Sequence, residues 1–191
     1  MKNKANLRKK FLSLRKKKYF DVPLDRFNPL INYIKKKYKS KKNIYIAIYY
    51  PSNYEINLLK IFNNLKEKKF TTLLPVVNKS SLLNFVEWKN QDIMVVNKYG
   101  IPEPLAGKKV FLPDVILVPL IAFDKYNNRL GYGKGYYDKY LNNLFKMKQK
   151  IEAIGIAFSF QQYDKLPTNK FDFNLDNVFT DKGFLRWKFL F

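Results

Sequence analysis

Gly131, Gly133 and Gly135 alternate with Tyr132 and Lys134, and the residues around them are of types that hold an anion. Arg129 and Leu130 precede the first glycine, and Tyr136, Tyr137 and Asp138 follow the last. Beyond them Tyr137, Tyr140, Leu141 and Leu144 fall at i, i+3, i+4 and i+7, the apolar face of a helix. A glycine turn that runs into a helix start lets backbone N–H groups approach an anion, with the positive end of the helix dipole behind them. Arg129 and Lys134 add cationic charge, and Asp138 adds a carboxylate one turn in. Anion cradle, cations and an oxygen ligand for a metal point to a nucleoside triphosphate. The pattern is not a Walker A loop, because Gly133-Lys134 is followed by Gly135 rather than Ser or Thr. It also misses the Rossmann G-x-G-x-x-G spacing. Three glycines alone could make a structural turn, but turn chemistry does not account for the two cations. Asp138 alone does not assign a metal, since acids stabilise helix starts by up to ~1 kcal/mol.

A turn of this kind must be held by a scaffold. Ile44–Tyr50 is an unbroken β-branched and aromatic run, the pattern of a strand buried on both faces. Phe70–Val77 reads as a second strand broken near its end by Pro75, 93–96 as a short one, and Val115–Val118 as another buried strand. Ile151–Phe158 follows the glycine-turn helix, and 178–180 and 184–189 read as short terminal strands. Between these lie helical spacings at 2–18 (Leu7, Phe11, Leu14), from Pro23 through Phe27, Leu30, Ile31 and Ile34, and at 55–68. Gly100-Ile-Pro-Glu-Pro104 reads as irregular. Strands alternating with helices predict one α/β domain over residues 1–191, a three-layer arrangement of a mostly parallel sheet with helices on both faces. Ligands of such sheets sit outside the carboxyl ends of the strands, where the glycine turn falls.

The chain has neither Cys nor His, so disulfides, thiolate chemistry and imidazole-based catalysis or metal binding are all excluded. Any chemistry must come from carboxylates, Lys, Arg, Tyr, backbone dipoles and a borrowed metal. A formal charge of +22 invites a nucleic-acid partner. The competing explanation is compositional drift, because Lys, Asn, Ile, Tyr and Phe, all overused here, share A/T-rich codons. No apolar run is long enough to span a membrane, and the basic start lacks the apolar stretch of a secretory signal. A cytoplasmic protein without a membrane or a specific nucleic-acid partner is expected, and it is expected to be a monomer.

The string Asp114-Val-Ile-Leu-Val-Pro119, then Phe123-Asp124, then Arg129-Leu-Gly-x-Gly-x-Gly-Tyr-Tyr-Asp138 resembles the signature of the 5-formyltetrahydrofolate cyclo-ligase family. Lys4-Ala5-Asn6-Leu7-Arg8 is similar to the family's N-terminal Lys-x-x-Leu-Arg, and Tyr50-Pro-Ser-Asn-Tyr-Glu55 to its folate-contacting segment. Gly100–Pro104, Ala157-Phe158-x-x-Gln161 and Phe171-Asp172-x-x-x-Asp176 resemble further elements, in the family's order. Phe171 is a departure, since the family commonly has His there. The resemblance implies an ATP- and magnesium-dependent ring closure on 5-formyltetrahydrofolate. In it Lys4, Ala5, Asn6, Leu7 and Arg8 would bind ATP from one side and residues 129–137 from the other. Tyr50, Glu55, Tyr132, Gly133, Lys134, Gly135 and Tyr136 would bind the folate, and Asp138 and Asp172 would hold Mg2+. Without the resemblance each has a plainer reading. Lys4 and Arg8 would be a solvated helix face, Tyr50 a buried strand end, Glu55 a helix-start acid and Asp172 an Asx turn. Two rival functions also follow from the residues, a basic nucleic-acid-binding protein and a family member without turnover.

Overall fold

The structure is a computed structural model that describes residues 3–64, 69–78, 80, 82–105 and 107–185. In chain order the elements are α1 (Lys4–Lys18), a 3-10 turn at Leu24–Phe27, α2 (Asn28–Lys37), β1 (Ile44–Ala47), α3 (Leu58–Asn64), β2 (Phe70–Val77), β3 (Leu83–Glu87), β4 (Met94–Val96), β5 (Pro102–Pro104), β6 (Val115–Pro119), β7 (Ala122–Phe123), β8 (Arg129–Leu130), α4 (Tyr136–Lys146), β9 (Glu152–Ala157), β10 (Asn177–Thr180) and β11 (Gly183–Phe184). Seven strands form one sheet in the order β11-β10-β9-β6-β1-β2-β3. The β10–β9, β9–β6, β6–β1 and β1–β2 pairs are parallel, and only the two outermost pairs are antiparallel.

Both faces of this sheet are covered, as a parallel sheet requires. On one face Leu30, Ile31 and Ile34 of α2 and Ile61 and Phe62 of α3 pack with Ile44, Ile46, Leu117 and Ile154. On the other, Leu141 of α4 packs with Ala47, Phe85, Ile116 and Val118. The third unit is smaller and matters more for the site. Leu7 and Phe11 of α1 bury against Ile121, Ala122 and Leu130 of the β7–β8 hairpin. Each such side chain contributes about 2 kcal/mol on burial. The first helix is thereby fixed at the carboxyl ends of the strands, next to the glycine turn.

The chain runs outward from β1 to β2 and β3, then returns to β6 on the other side of β1 and runs outward again to β9 and β10. The strand order therefore reverses between β1 and β6, which opens a crevice beyond their carboxyl ends.

Several expectations need correction. Pro75 does not interrupt β2. Leu73 and Pro75 turn their main-chain N and O toward β1, where Ile48 N still donates to Leu73 O; the pairing with β1 stops at the N–H that Pro75 lacks, while pairing with β3 continues to Val77. Gly100–Pro104 is not irregular, because Pro102–Pro104 forms β5 on β4. In that hairpin the main-chain bonds fall on Asn97–Ile101 and Leu105–Ile93, so both prolines occupy positions where no N–H is needed. Residues 93–96 thus pair in a small separate sheet rather than the main one. The helix expected from Glu55 begins at Leu58, and residues 65–68 lie outside the described residues, as do 186–189 of the expected last strand. On α1 the stripe of Leu7 and Phe11 continues to buried Arg15, with Leu14 packed half-buried beside it. Strands β3, β7 and β8 were not expected.

Candidate active site

A cavity of about 1550 Å3 occupies the crevice, lined among others by Lys4, Arg8, Tyr50, Glu55, Arg129–Asp138 and Asp172. A pocket for one small ligand is typically ~300–1,000 Å3, so this one has room for two molecules side by side. Lys4, Arg8, Tyr50, Glu55, the glycine turn, Asp138 and Asp172, separated by up to 168 positions along the chain, face a single space. Ala5, Asn6 and Leu7 do not line it. Leu7 is core, and Ala5 donates its N–H to the Asn3 side chain that caps α1.

The glycine turn is shaped by backbone and by arginines together. Gly133 has φ 97° and Gly135, the N-cap of α4, has φ 70°, a region that side chains disfavour. The Arg8 guanidinium packs on Gly133 so closely that an added Cβ would meet its Cζ at 3.2 Å, and Arg8 Nε donates to Gly131 O at 2.8 Å. Gly135 supplies no side-chain cap to α4, whose first turn lines the cavity, so the positive end of the helix dipole lies at the cavity wall.

Arg129 lies beneath the turn rather than free in the cavity. Its side chain is 4% exposed and its NH2 donates to Asp138 Oδ1 at 2.6 Å. Burial pulls its pKa down while the charge of Asp138 pushes it up. Among the described residues its buried Nε has no hydrogen-bond partner. Asp138 Oδ1 also accepts from Phe173 N at 3.1 Å. Next to Phe173, Asp172 Oδ2 accepts from Lys4 Nζ at 2.5 Å and from Asn169 N at 2.7 Å. Asp172 is thus supported by Lys4 and Asn169, with no part played by the side chain of Phe171. Phe171 instead turns outward, 68% exposed. Lys134 is different again. Among the described residues it makes no ion pair, and its ammonium lies 5.8 Å from the centre of the Tyr99 ring. Tyr99, at the tip of the β4–β5 hairpin, also hydrogen-bonds the Tyr136 hydroxyl.

Glu55 sits in a turn, not on a helix. Glu55 N donates to Ser52 O at 3.0 Å, and the central residues Asn53 and Tyr54 have φ 47° and 64°. Two left-handed residues make this a type I′ turn, at a cost of about 1 kcal/mol or more at Tyr54. Glu55 is buried. Its Oε2 accepts from Ser52 N and Oγ at 2.8 and 3.3 Å, and its Oε1 from the Tyr132 hydroxyl at 2.6 Å. Burial pushes its carboxyl up from the usual range, opposed by the charge of Arg15 and by the Tyr132 and Ser52 hydrogen bonds. Burial and the same carboxylate push Tyr132 upward, which keeps it a neutral hydroxyl donor. A carboxyl whose folded pKa exceeds its unfolded value of 4.5 contributes stability that is full below that value and fades as pH rises. The melting temperature of the wild type relative to Glu55→Gln should therefore be more favourable near pH 4 than near pH 7, to about the extent that linkage allows. A difference unchanged across a pH series of melts refutes it.

Other motif residues prove to be scaffold. Asp124, fully buried, accepts from Tyr126 N, Asn128 N, Asn128 Nδ2 and Leu166 N and so shapes the β7–β8 hairpin. Gln161 Nε2 donates to Leu120 O and Ile121 O, tying the end of β9 to the same hairpin. Asp176 Oδ2 accepts from Ala153 N at the start of β9. Arg15 and Tyr99 were missed as site residues. Arg15 left a signal in the sequence, since a cation four residues after Phe11 continues the buried stripe of α1.

Among the described residues no three acidic or histidine side chains form a metal cage. Asp138 and Asp172 nevertheless offer two carboxylates to one cavity. Magnesium commonly takes one or two carboxylates and completes its shell with phosphate oxygens and water, so the donor set fits an ion that arrives with a phosphate ligand.

The sequence profile of the 5-formyltetrahydrofolate cyclo-ligase family matches residues 1–181. A 5-formyltetrahydrofolate cyclo-ligase of Haemophilus influenzae is 32% identical over 139 residues, 70% of this chain and 73% of that protein. The Escherichia coli K12 enzyme of the same name is 31% identical over 148 residues, 74% and 80% of the two chains. Among solved structures, the 5,10-methenyltetrahydrofolate synthetase of Aquifex aeolicus superposes with a TM-score of 0.74 at 31% identity, over 96% of this chain and 92% of that one. That of Mycoplasma pneumoniae gives 0.67 at 28% identity, over 94% and 99%.

Proposed function

The chain belongs to the 5-formyltetrahydrofolate cyclo-ligase family, and from that premise we propose that it converts 5-formyltetrahydrofolate to 5,10-methenyltetrahydrofolate at the expense of ATP. The observation that carries this reading is the convergence of Lys4 and Arg8 with the glycine turn, in a cavity whose other wall holds Tyr50 and Glu55. Cations and helix-start N–H groups suit a triphosphate on one side. An aromatic ring and a buried carboxylate suit a flat heterocycle with N–H donors on the other.

A formyl oxygen on nitrogen is a weak nucleophile, and its departure as hydroxide is unfavourable. In the proposed reaction it attacks the γ-phosphorus of ATP as the β–γ bridging P–O bond breaks and ADP leaves. The neighbouring folate nitrogen then adds to the formyl carbon and loses its proton, and phosphate departs with the oxygen. Phosphoryl transfer asks the protein for positioning and charge neutralisation, which needs neither Cys nor His. Lys134 supplies a mobile point charge at the γ-phosphate. Arg8 and Lys4 hold the chain of phosphates from the α1 side, and the α4 N–H groups hold it from below. Asp138 and Asp172 would hold Mg2+, which when bound neutralises phosphate charge.

Purified protein with ATP, Mg2+ and 5-formyltetrahydrofolate should form methenyl product, read as new near-ultraviolet absorbance, and chelation of the metal should stop it. Folded protein that gives no absorbance change under these conditions rules the proposal out.

A further inference from the structure

Arg15 is 1% exposed, and an arginine taken from water to that depth costs several kcal/mol unless its charge and its N–H groups are answered. Among the described residues it makes no ion pair. Its Nε donates to Asn53 O at 2.9 Å, its NH1 to Leu120 O at 3.0 Å and its NH2 to the Tyr132 hydroxyl. Its guanidinium carbon also lies 5.8 Å from the centre of the Tyr132 ring. Negative charge reaches it only at one remove, because the Tyr132 hydroxyl that accepts from Arg15 donates onward to Glu55 Oε1. Each of the three acceptors belongs to a different wall-building segment: the Ser52–Glu55 turn, the end of β6, and the glycine turn. Asn53, Glu55 and Tyr132 line the cavity, and Arg15 stands behind them.

We propose that Arg15 is a positioning residue for the folate-binding half of the cavity, acting on substrate through Glu55 and Tyr132 without touching it. The inference rests on Glu55 being the folate-facing carboxylate. Two physical arguments carry it. A buried charge is commonly no better for stability than a hydrophobic side chain of the same size, so stability alone is a poor reason for an arginine here. And the Asn53–Tyr54 left-handed turn is a conformation the chain resists, which persists where surrounding bonds over-determine it. Arg15 supplies such a bond at Asn53 O, while its NH2 fixes the Tyr132 hydroxyl with its proton aimed at Glu55. A carboxylate held in one orientation recognises a pair of ring N–H donors, whereas one free to swing loses alignment with them.

Arg15→Lys keeps the charge and removes the fork. It should raise KM for 5-formyltetrahydrofolate about tenfold, the scale of one lost charge-assisted hydrogen bond, and leave KM for ATP within about twofold. Tyr132→Phe keeps the ring, cuts the link to Glu55, and tests the same path if the Arg15 variant folds poorly. The double variant should be no worse than the poorer single one, because both changes sever one connection. Equal losses for ATP and folate, or effects of the two changes that multiply, overturn the assignment, as does a lowered melting temperature with both KM values unchanged. Folate affinity measured by calorimetry without ATP separates the two readings. Wild-type protein that binds the folate yet makes no methenyl product contradicts the proposed reaction alone. Folate affinity untouched by Arg15→Lys contradicts the positioning role alone.

Discussion

Lys134→Ala should lower turnover by a factor of about 10²–10³, the effect of removing one preorganised charge from a transferring group, with no loss of thermal stability. The asymmetry follows from what each cation of the site is bonded to. Lys4 is held by Asp172 and Arg129 by Asp138, whereas Lys134 makes no ion pair among the described residues and rests against the Tyr99 ring. Removing it therefore strands no buried carboxylate, and the fold has little to lose. Among the described residues its charge is shared with no carboxylate, whereas those of Lys4 and Arg129 are. Steady-state kinetics beside a melting curve checks both halves. Turnover within a few-fold of wild type removes Lys134 from the chemistry, and a large fall in melting temperature shows that it was scaffold.

Arg129→Met should do the opposite, destabilising the protein by about 3 kcal/mol because it leaves the half-buried Asp138 carboxylate without its cation. For a chain of this size that is a fall of roughly 10 °C in melting temperature. Activity should fall as well, since Arg129 NH1 packs 3.2 Å from where a Cβ on Gly131 would sit and so supports the start of the glycine turn. Combining it with Asp138→Asn should recover part of the lost stability, because the uncompensated charge is gone. Denaturant melts of the single and double variants decide the matter. A double variant less stable than Arg129→Met means that the pair is not the source of the loss.

The sheet was largely legible because buried parallel strands are written as runs such as Ile44–Ile48 and Val115–Val118, and α2 and α4 because their apolar residues recur at helical spacing. Strand β3 was not, since Leu-Asn-Phe-Val-Glu is short and its character depends on pairing with β2. Strand β5 was hidden by its own prolines, which are harmless only in the register that the hairpin adopts. The glycine turn, Lys4, Arg8, Tyr50, Glu55, Asp138 and Asp172 were legible as types and motifs. Their bonding was not, because the Lys4–Asp172 ion pair and the Arg8–Gly131 hydrogen bond join segments more than a hundred residues apart. Arg15 was passed over for a related reason. A cation on an apolar stripe looks like an error of pattern until three distant acceptors are folded around it.

The Lys4–Asp172 bridge joins residues 168 apart in a chain of 191. The sheet's parallel core, from β1 to β10, closes without α1, but the cavity wall that carries Lys4 and Arg8 does not. Fraying of one amphipathic helix, held by Leu7 and Phe11 with Leu12 and Leu14 beside them and by the bonds of Lys4, Arg8 and Arg15, would dismantle this side of the cavity while leaving the architecture standing. On heating, the cavity should therefore open before the sheet gives way, so that activity is lost at a lower temperature than the fold.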